Sequence, residues 1–461
     1  MKIILIIPDG VSLRNYFYSN FIDELNINDI EIILFHNVSE NAILEVKSLY
    51  PFIKEIFKIP DFYENLFQKF LRESLCYARI LKNVKIFKNK TILHFWGKNP
   101  VDFKMKLFYF STEFFGLLLS KSNTAIIFCD RLYEKQIKKN LICKQLEIQI
   151  QIIKPDLVLN LHQRAISSSP VIETSKKINI KTATVIFSWD NIPKARLVSK
   201  HDYYFVWSEL MKNELLLSYP EINEKQIKIV GSPQFEFYFK KENFTSKNDF
   251  FATFGLNPNK KTICFSANDL SSPNEAIYLR DICEEILKID ELNRPQILFR
   301  RCPVDFSDRF DFVLKKYKGL VFAVEPIWEY SKNFNEIYPT LNDNYILANT
   351  VKHSDIVINL GSTMAFDFAI FNKPCLYLNY NPTKKLEFDV KQVFQFQHFK
   401  SMQNLECVEW INFKSDLKSK ILYALKSPQK IGTDKLKWFQ TICLFPLKLN
   451  SKKIVQEIIK L

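Results

Sequence analysis

The segment 353–380 constrains the fold of this chain more than any other stretch. It begins with a short apolar run, residues 355–360, in which both alternating faces are mostly apolar. Such a run is typical of a strand covered on both sides in a parallel sheet. Gly361 interrupts the run, an apolar helical segment continues to Asn372, and a second apolar run begins at Cys375. The segment therefore predicts a strand, a turn, a helix and a second strand.

The turn of this segment has the residues of a phosphate-binding site. Ser362 and Thr363 are good helix N-cap residues, and Gly361 lets a ligand approach the backbone. A helix start at the carboxyl edge of a parallel sheet carries unpaired N–H groups and partial positive charge, which suit a diphosphate. Asp367 lies one helical turn further on the same face, where its carboxylate could hold ribose hydroxyls. An ordinary βαβ unit capped for stability would show the same residues.

The rest of the chain predicts two α/β domains. A chain of 461 residues is too long for one ordinary core. Strand and helix patterns alternate over 1–238 and again over 262–430, and we interpret the polar, lysine-rich range 239–261 as a linker and 431–461 as a helical tail. We expect two Rossmann-like doubly wound domains, the first of which carries a helical insertion over 61–153.

Composition excludes several classes of protein. With eight glycines and no Gly-x-Gly-x-x-Gly, the chain lacks a dinucleotide fingerprint, so an NAD or FAD enzyme of that type is not expected. The nine cysteines are scattered, which is typical of buried thiols in a reducing cytoplasm and predicts neither a zinc site nor any other metal site. The first strand, residues 2–7, is too short for a signal peptide or a membrane span, so we expect a cytoplasmic protein. Because the sequence has neither a dinucleotide fingerprint nor a metal-ligand cluster, we expect no bound cofactor.

The formal charge of +14 points to an anionic partner or to a lysine-rich surface. The sequence shows no basic recognition helix, zinc finger or RNA-binding motif, so nucleic acid is not an expected partner. Nucleotide-sugar phosphates and an anionic membrane surface remain open, the latter as a peripheral contact at the inner face of the membrane. The aromatic segment 104–119 is too short to span a bilayer; we favour a buried core helix over a helix lying in the membrane interface.

Polar residues follow several strands of the first domain and form a second candidate site. Loop residues at the carboxyl ends of parallel strands commonly meet ligands. Asp190, beside a tryptophan, could have a raised pKa and act as a general base, although an Asp-Asn turn cap explains it as well. The candidates are Asp9, Arg14, Asn15, His162, Arg164, Trp189, Asp190 and Asn191.

A third group of candidates follows strands of the second domain. Arg300 and Arg301 end a predicted strand and would lie near Ser362 if neighbouring strands pair in the usual order. Arginine suits bidentate contact with phosphate, although a surface ion pair is equally compatible with either residue. Glu325 and Trp328 follow the next strand, where they could contact a nucleobase.

Four motifs taken together resemble a known group of enzymes. They are Ser188-Trp189-Asp190-Asn191, Val230-Gly231-Ser232-Pro233-Gln234-Phe235, Arg300-x-x-Pro303 and Gly361-Ser362-Thr363-x3-Asp367. Across roughly the central half of the chain they resemble GT-B glycosyltransferases of bacterial surface-polysaccharide and capsule loci. More distantly they resemble CDP-glycerol glycerophosphotransferases and UDP-N-acetylglucosamine 2-epimerases.

The resemblance implies metal-independent transfer of a sugar from a nucleotide-diphosphate sugar to an oligosaccharide or lipid-linked polysaccharide precursor. It implies that Ser362, Thr363 and Arg300 bind the diphosphate, with ribose near Asp367. The acceptor would face the loops of the first domain, and Asp190 or Asp9 would be the general base if the reaction inverts the anomeric centre.

The chain departs from the related families at informative positions. Glycerophosphotransferases carry histidines where this chain has Asp190 and Cys302, so glycerophosphate transfer is disfavoured. The paired glutamates of many retaining enzymes fall here on Asn359 and Asp367, so a retaining mechanism is unsupported. A 2-epimerase and a non-catalytic scaffold that binds sugar nucleotides remain the alternatives to a transferase.

Overall fold

The computed structural model describes residues 1–98, 101–383 and 389–461, which form two compact units. The first unit comprises Met1–Glu236, Tyr330–Tyr338 and Thr441–Leu461. The second comprises Phe237–Glu329 and Pro339–Gln440. Each unit is built on its own parallel sheet.

The sheet of the first unit has seven parallel strands in the order β3-β2-β1-β4-β5-β6-β7. The strands are β1 (Lys2–Ile7), β2 (Glu31–His36), β3 (Glu55–Lys58), β4 (Leu157–Asn160), β5 (Lys181–Val185), β6 (Tyr203–Val206) and β7 (Ile227–Ile229). The chain starts in the middle with β1, winds outwards to β3, and then returns through β4 to the other edge. The sheet is thus doubly wound, with its topological switch point between β1 and β4.

Buried apolar runs explain why these segments form the central strands. Ile3 to Ile7 are all fully buried, and Ile3 and Ile4 lie opposite Ile32 and Ile33 of β2 in register. A strand apolar on both faces is stable only when helices cover both sides of the sheet. In the first unit the helices are α1 (Gly10–Ser12), α2 (Phe21–Ile27), α3 (Glu40–Leu49), α4 (Leu66–Ile86), α5 (Phe103–Leu119), α6 (Asn123–Lys138), α7 (Leu141–Ile153), α8 (Ser169–Lys177), α9 (Glu209–Ser218) and α18 (Asn450–Ile459).

Helix α5, in the helical insertion between β3 and β4, differs from the prediction. Thr112, Gly116 and Leu119 are buried on one face. The expectation of a buried core helix is wrong, because the opposite face is apolar and exposed. Its exposed residues are Phe103, Leu107, Phe110, Phe114, Leu117 and Leu118. Among the residues that the structure describes, no helix has the length and apolar character needed to cross a bilayer.

The sheet of the second unit has six parallel strands in the order β10-β9-β8-β13-β14-β15. Its strands are β8 (Thr262–Ser266), β9 (Gln296–Arg300), β10 (Val321–Ala323), β13 (Ile356–Asn359), β14 (Cys375–Leu378) and β15 (Glu409–Ile411); the two-residue strands β11 (Trp328–Glu329) and β12 (Tyr338–Pro339) lie outside it. This sheet is doubly wound in the same way, and its switch point lies between β8 and β13. The prediction of two Rossmann-like doubly wound domains is confirmed.

The segments flanking the second sheet are helical. The range 239–261, interpreted from sequence as a linker, contains α10, whose Phe250 and Phe251 are buried. The chain enters the first unit again at Thr441 and ends in α18. The helices are α10 (Lys247–Phe254), α11 (Glu275–Ile286), α12 (Asp311–Lys316), α13 (Leu341–His353), α14 (Met364–Ile370), α15 (Val390–Val393), α16 (Leu417–Lys426) and α17 (Lys435–Ile442).

Candidate functional site

The switch point of the first unit places two polar loops side by side. Asp9 follows β1, and its Oδ1 accepts hydrogen bonds of 3.0 Å from both the backbone N–H and the hydroxyl of Ser12. His162 follows β4, and the Asn160 amide donates to its carbonyl at 3.0 Å and accepts from its N–H at 3.3 Å. Because β1 and β4 are neighbours in the sheet, these fixed loops bring Asp9 and His162 together.

Asp9 and His162 form a hydrogen-bonded pair between Oδ2 and Nδ1. Burial opposes ionisation of Asp9, but the charge and hydrogen bond of His162, with the two bonds from Ser12, lower the pKa of Asp9 overall. Phe187 stacks on the imidazole with ring centroids 4.1 Å apart. The second ring nitrogen, Nε2, is buried and has no hydrogen-bond partner in the described part of the chain. With Asp9 ionised and the proton on Nδ1, Nε2 presents a lone pair.

Asp190 lies in the loop after β5 and is already paired. Its Oδ2 is 2.6 Å from Lys194 Nζ, and its Oδ1 accepts from the Asn191 amide at 2.8 Å. Gln163 joins this loop to the histidine loop, because its amide donates to Asn191 Oδ1 at 3.1 Å and its Oε1 accepts from the N–H of Phe187 at 2.9 Å. The loops after β4 and β5 are therefore one connected polar layer.

The remaining candidates of the first unit lie around this layer. Trp189 is buried, with 4 % of its surface exposed. Arg14 and Asn15 belong to a π-helical turn just after α1, where Arg14 Nε donates to Asn15 Oδ1 at 3.2 Å and Asn15 is buried. Arg164 follows the histidine loop and lines a cavity described below.

The turn after β13 in the second unit is held by hydrogen bonds and a close ring contact that the sequence did not predict. Gly361 has a φ of +75°, and a Cβ there would lie 2.9 Å from the Phe399 ring. The N–H of Ser362 donates to Asn359 Oδ1 at 2.9 Å, and Ser362 Oγ accepts from the N–H of Met364 at 3.4 Å. Thr363 is exposed and is the N-cap of α14, but its side chain makes no capping hydrogen bond.

Sequence reasoning missed a residue that bridges the switch point of this unit. Asn268 follows β8, and its amide donates to the carbonyl of Leu360, at the end of β13, at 3.0 Å. Its N–H donates to Glu275 Oε2 at 2.7 Å, and its carbonyl accepts from Arg309 at 2.8 Å. The sequence could have indicated Asn268, because it directly follows an apolar strand, where ligand-binding residues of such sheets commonly lie.

Arg300 is held by a buried carboxylate. Its Nη2 donates to both oxygens of Asp343 at 2.8 Å, while Nη1 is buried without a partner among residues 1–98, 101–383 and 389–461. Asp343 also accepts from the N–H of Ile327 and from the indole N–H of Trp328, each at 2.9 Å. Arg300 and Trp328 thus both donate hydrogen bonds to the carboxylate of Asp343.

Arg301, Glu325 and Asp367 also have partners. Arg301 donates to the carbonyl of Ser307 at 2.6 Å and to Glu325 Oε2 at 3.3 Å. Asp367 Oδ1 accepts from the hydroxyl of Tyr238 at 2.8 Å. The structure therefore brings Arg301 together with Glu325, and Arg300 together with Trp328.

Two doubly wound parallel-sheet units and a C-terminal helix define a two-domain Rossmann-like, GT-B-like fold. Solved structures with similar folds include UDP-GlcNAc 2-epimerase from Neisseria meningitidis bound to UDP-GlcNAc (TM-score 0.53, 12% identity, 100% of each chain covered). A putative UDP-N-acetylglucosamine 2-epimerase from Listeria monocytogenes has a TM-score of 0.58 at 11% identity, over 100% of this chain and 96% of that one. A glycosyltransferase from Rickettsia africae has a TM-score of 0.52 at 14% identity, over 100% and 98%. These likenesses establish the fold.

No protein-family model matches the sequence. No curated protein matches it either.

Proposed function

We propose that this chain is a glycosyltransferase that uses a nucleotide-diphosphate sugar. The observation that carries the proposal is the Asp9–His162 pair at the switch point of a GT-B-like unit, with His162 Nε2 buried and unpartnered among the described residues. A buried polar atom without a partner is costly, and a catalytic role is one explanation for retaining it. Ligands of doubly wound sheets bind at such switch points.

In the proposed reaction His162 is the general base and Asp9 is a positioning residue. His162 Nε2 accepts the proton of an acceptor hydroxyl, whose oxygen forms a bond to the anomeric carbon while the bond from that carbon to the diphosphate oxygen breaks. The nucleoside diphosphate leaves with the bonding electrons. Asp9 holds the imidazole through Nδ1 and stabilises the imidazolium that forms, in the same way as the carboxylate of a catalytic triad.

We place the donor diphosphate at the turn after β13. Gly361, with a φ of +75°, lets the chain turn there, although the ring of Phe399 and not open space fills the side that a Cβ would occupy. Thr363 is exposed at the start of α14. Because the N–H of Ser362 is already bonded, the proposal relies on Thr363 and on the partial positive charge of the turn rather than on a row of open amides. Asp367 and its partner Tyr238 would contact the ribose.

The names of structural neighbours support the substrate class and keep a second candidate reaction in view. One neighbour is bound to UDP-GlcNAc, and another is a glycosyltransferase. Several others are UDP-GlcNAc 2-epimerases, which favours epimerisation as the alternative. A transferase releases nucleoside diphosphate only in step with acceptor glycosylation, whereas an epimerase changes the stereochemistry of the sugar without an acceptor.

The test begins with ligand binding. A thermal-shift screen with UDP, GDP, CDP and TDP and their sugars should identify the base, and the Ser362→Ala, Thr363→Ala double variant should bind that nucleotide more weakly. Arg300 is unsuitable for this purpose, because its loss would leave Asp343 buried and uncompensated. Turnover is then followed by nucleotide release with oligosaccharide and lipid-linked acceptors. Nucleotide binding without turnover on any acceptor would favour a scaffold, and NMR of an isomerised donor would favour an epimerase.

We also propose a peripheral contact between α5 and an anionic membrane surface. The exposed stripe from Phe103 to Leu118 lies opposite the buried face of the helix, and the exposed Lys104 and Lys106 flank it. A helix with an aromatic face bordered by lysines is typical of an interfacial helix, and the net charge of +14 favours anionic lipid. Such a contact would bring a lipid-linked acceptor to the enzyme.

A further inference from the structure

A cavity of about 250 Å³ lies within the first unit, between the helical insertion and the loops after β4 and β5. Four arginines line it, together with apolar side chains that strengthen electrostatic interactions by excluding water. The lining includes Arg72, Arg79, Arg164, Arg196, Leu75 and Val198, and one carboxylate, that of Asp130.

Two of the four arginines are neutralised by carboxylates. Arg72 donates to Glu64 at 2.8 Å and to Glu73 at 2.5 Å. Arg79 donates to Asp130, and to Glu221 at 2.6 Å, and its guanidinium lies 4.4 Å from the centroid of the Tyr219 ring. These arginines are part of the packing between the insertion and the sheet.

Arg164 and Arg196 are different. Arg164 makes no hydrogen bond and no ion pair with any residue in the described ranges. Arg196 has an ion pair with Glu73 Oε2 at 3.6 Å, which is too long for a hydrogen bond, and that carboxylate oxygen is itself without a hydrogen-bond partner among the described residues. Burial and the charge of Arg196 lower the pKa of Arg164, while the charges of Asp190 and Asp9 act in the opposite direction. Two half-buried guanidiniums therefore repel each other beside a cavity.

We propose that this cavity binds an oxyanion, a carboxylate or phosphate group, between the guanidiniums of Arg164 and Arg196. An oxyanion would accept the hydrogen bonds that these side chains lack, and it would relieve their mutual repulsion. Arg164 follows His162 by two residues on the same loop, so an anion here lies next to the proposed general base. We assign the oxyanion to the acceptor; this assignment rests on the proposed function, whereas the anion site itself does not.

The oxyanion could be the phosphate of a phosphate-linked acceptor or the carboxylate of an acidic sugar, and binding experiments with small anions distinguish the two. Inorganic phosphate and a sugar phosphate represent an acceptor linked through phosphate, glucuronate represents an acidic sugar, and glucose is the neutral control. Binding is measured by calorimetry and thermal shift on the full chain. We expect at least one anion, and not glucose, to bind and to raise the melting temperature.

Matched variants locate the site. Arg164→Gln and Arg196→Lys should weaken anion binding roughly tenfold to a hundredfold, as expected for loss of charge-assisted hydrogen bonds. Arg131→Gln removes the same charge from an exposed position on α6 outside the cavity and should leave the affinity unchanged. Thr363→Ala removes the proposed diphosphate contact and should also leave it unchanged, which separates this site from the donor site.

Two results would overturn the proposal. One is equal anion affinity in the wild type and in the Arg164→Gln and Arg196→Lys variants. The other is a lower melting temperature for ligand-free Arg164→Gln than for Arg131→Gln, because the proposal predicts that loss of Arg164 relieves repulsion, whereas a structural role predicts destabilisation. Arg196→Lys keeps the charge at its position and tests the planar guanidinium independently of Arg164. If anion binding is lost in the variants but no acceptor is ever glycosylated, the proposed function fails and the anion site stands.

Discussion

Two histidines of the first unit carry buried ring nitrogens without hydrogen-bond partners in the described chain, and their surroundings differ. His162 bonds to Asp9 through Nδ1 and leaves only Nε2 unpartnered, whereas neither ring nitrogen of His201 has a partner. A buried polar atom without a partner costs about 1–3 kcal/mol. For His162 the proposed base chemistry accounts for this cost; for His201 the same cost is only a loss of stability.

The role of His162 gives the first prediction. His162→Gln should lower kcat by roughly 10²- to 10⁴-fold, because a general base contributes that much, while the affinity for the nucleotide stays unchanged. Asp9→Asn should also lower kcat, because an amide cannot hold the same imidazole tautomer. Steady-state kinetics and calorimetry with the identified donor measure both effects. Asp190→Asn discriminates between the candidate bases: a larger loss there than in His162→Gln would assign the base to Asp190.

His201 gives a prediction about stability and pH. Burial and the charge of Lys176 lower its pKa from 6.5 to about 3, so below pH 6.5 the unfolded chain binds a proton that the folded chain does not. This group's contribution to stability is complete above pH 6.5 and decreases as the pH falls towards 3, by about 2 kcal/mol at pH 5. His201→Leu should reduce this acid sensitivity. Melting curves of both proteins at pH 7 and pH 5 provide the measurement, and parallel shifts in the two would contradict the assignment.

At the scale of helices and turns, the sequence predicted the secondary-structure elements better than it predicted which of their faces make contacts. The strands β1, β8 and β13 were predictable because runs apolar on both faces occur where helices cover both sides of a sheet. The exposed face of α5 was not predictable, since apolar and aromatic residues occur on more than one side of the helix and the sequence does not say which side has a partner. A helix of that kind is usually buried.

The candidate site shows the same division. The turn at Gly361 and the loop at Asp9 were identified because turn residues that follow apolar runs have a distinctive pattern. The pairing of Arg300 with Asp343, 43 residues away, and the bridge from Asn268 to Leu360 depend on which strands are neighbours. That information is not contained in local periodicity. The pairing of Asp9 with His162 across 153 residues has the same origin.

Gly361 provides a prediction with an internal control. Gly361→Ala should destabilise the second unit by about 1–3 kcal/mol, because it combines a positive φ with a contact of 2.9 Å to Phe399. Gly319→Ala has a similar φ of +85° but no atom within 4 Å of the new Cβ, so it isolates the backbone contribution. Thermal melting of both variants separates the cost of the backbone conformation from the cost of the contact with Phe399. Equal losses would show that the packing of Phe399 does not matter.

Helix α5 provides a prediction about the membrane. The double substitution Phe110→Ser, Phe114→Ser should weaken binding to vesicles that contain phosphatidylserine by roughly tenfold or more, because each buried phenylalanine contributes about 1.5–3 kcal/mol. Phe312→Ser, at an exposed position of the second unit, is the control. Sedimentation with vesicles at low and high salt separates the apolar part from the electrostatic part. Wild-type protein that stays in the supernatant at low salt would refute the contact.

At the scale of the whole molecule, the chain order does not follow the two units. The segments Tyr330–Tyr338 and Thr441–Leu461 belong to the first unit, although the sequence between and before them builds the second. The close contact of Gly10 with Tyr338, where an added Cβ would lie 2.3 Å from the side chain, shows that the first of these segments packs against the loop that carries Asp9. The first unit therefore cannot be completed by residues 1–236 alone.

The C-terminal segment allows this dependence to be tested. Three side chains of α18, those of Ile454, Val455 and Ile458, are at most 1 % exposed. At the start of this helix, the Glu236 carboxylate accepts hydrogen bonds from the N–H of Ser451 at 2.7 Å and from its hydroxyl at 2.6 Å. Burial of three such side chains contributes about 5 kcal/mol. Deletion of residues 441–461 should therefore lower the melting temperature of the first unit by on the order of 10 °C.

Ser451→Ala separates the contribution of the hydrogen bond to Glu236 from that of the buried apolar face of α18. It removes one hydroxyl donor from a buried carboxylate but leaves the apolar face of α18 intact, so we expect a loss of about 1–3 kcal/mol, well below that of the deletion. Hydrogen exchange followed by mass spectrometry locates the change: faster exchange in α2 and in the peptide around Asn20, whose N–H also bonds to Glu236, is the expected pattern. If the deletion variant retained wild-type protection there, α18 would not contribute to the stability of the first unit.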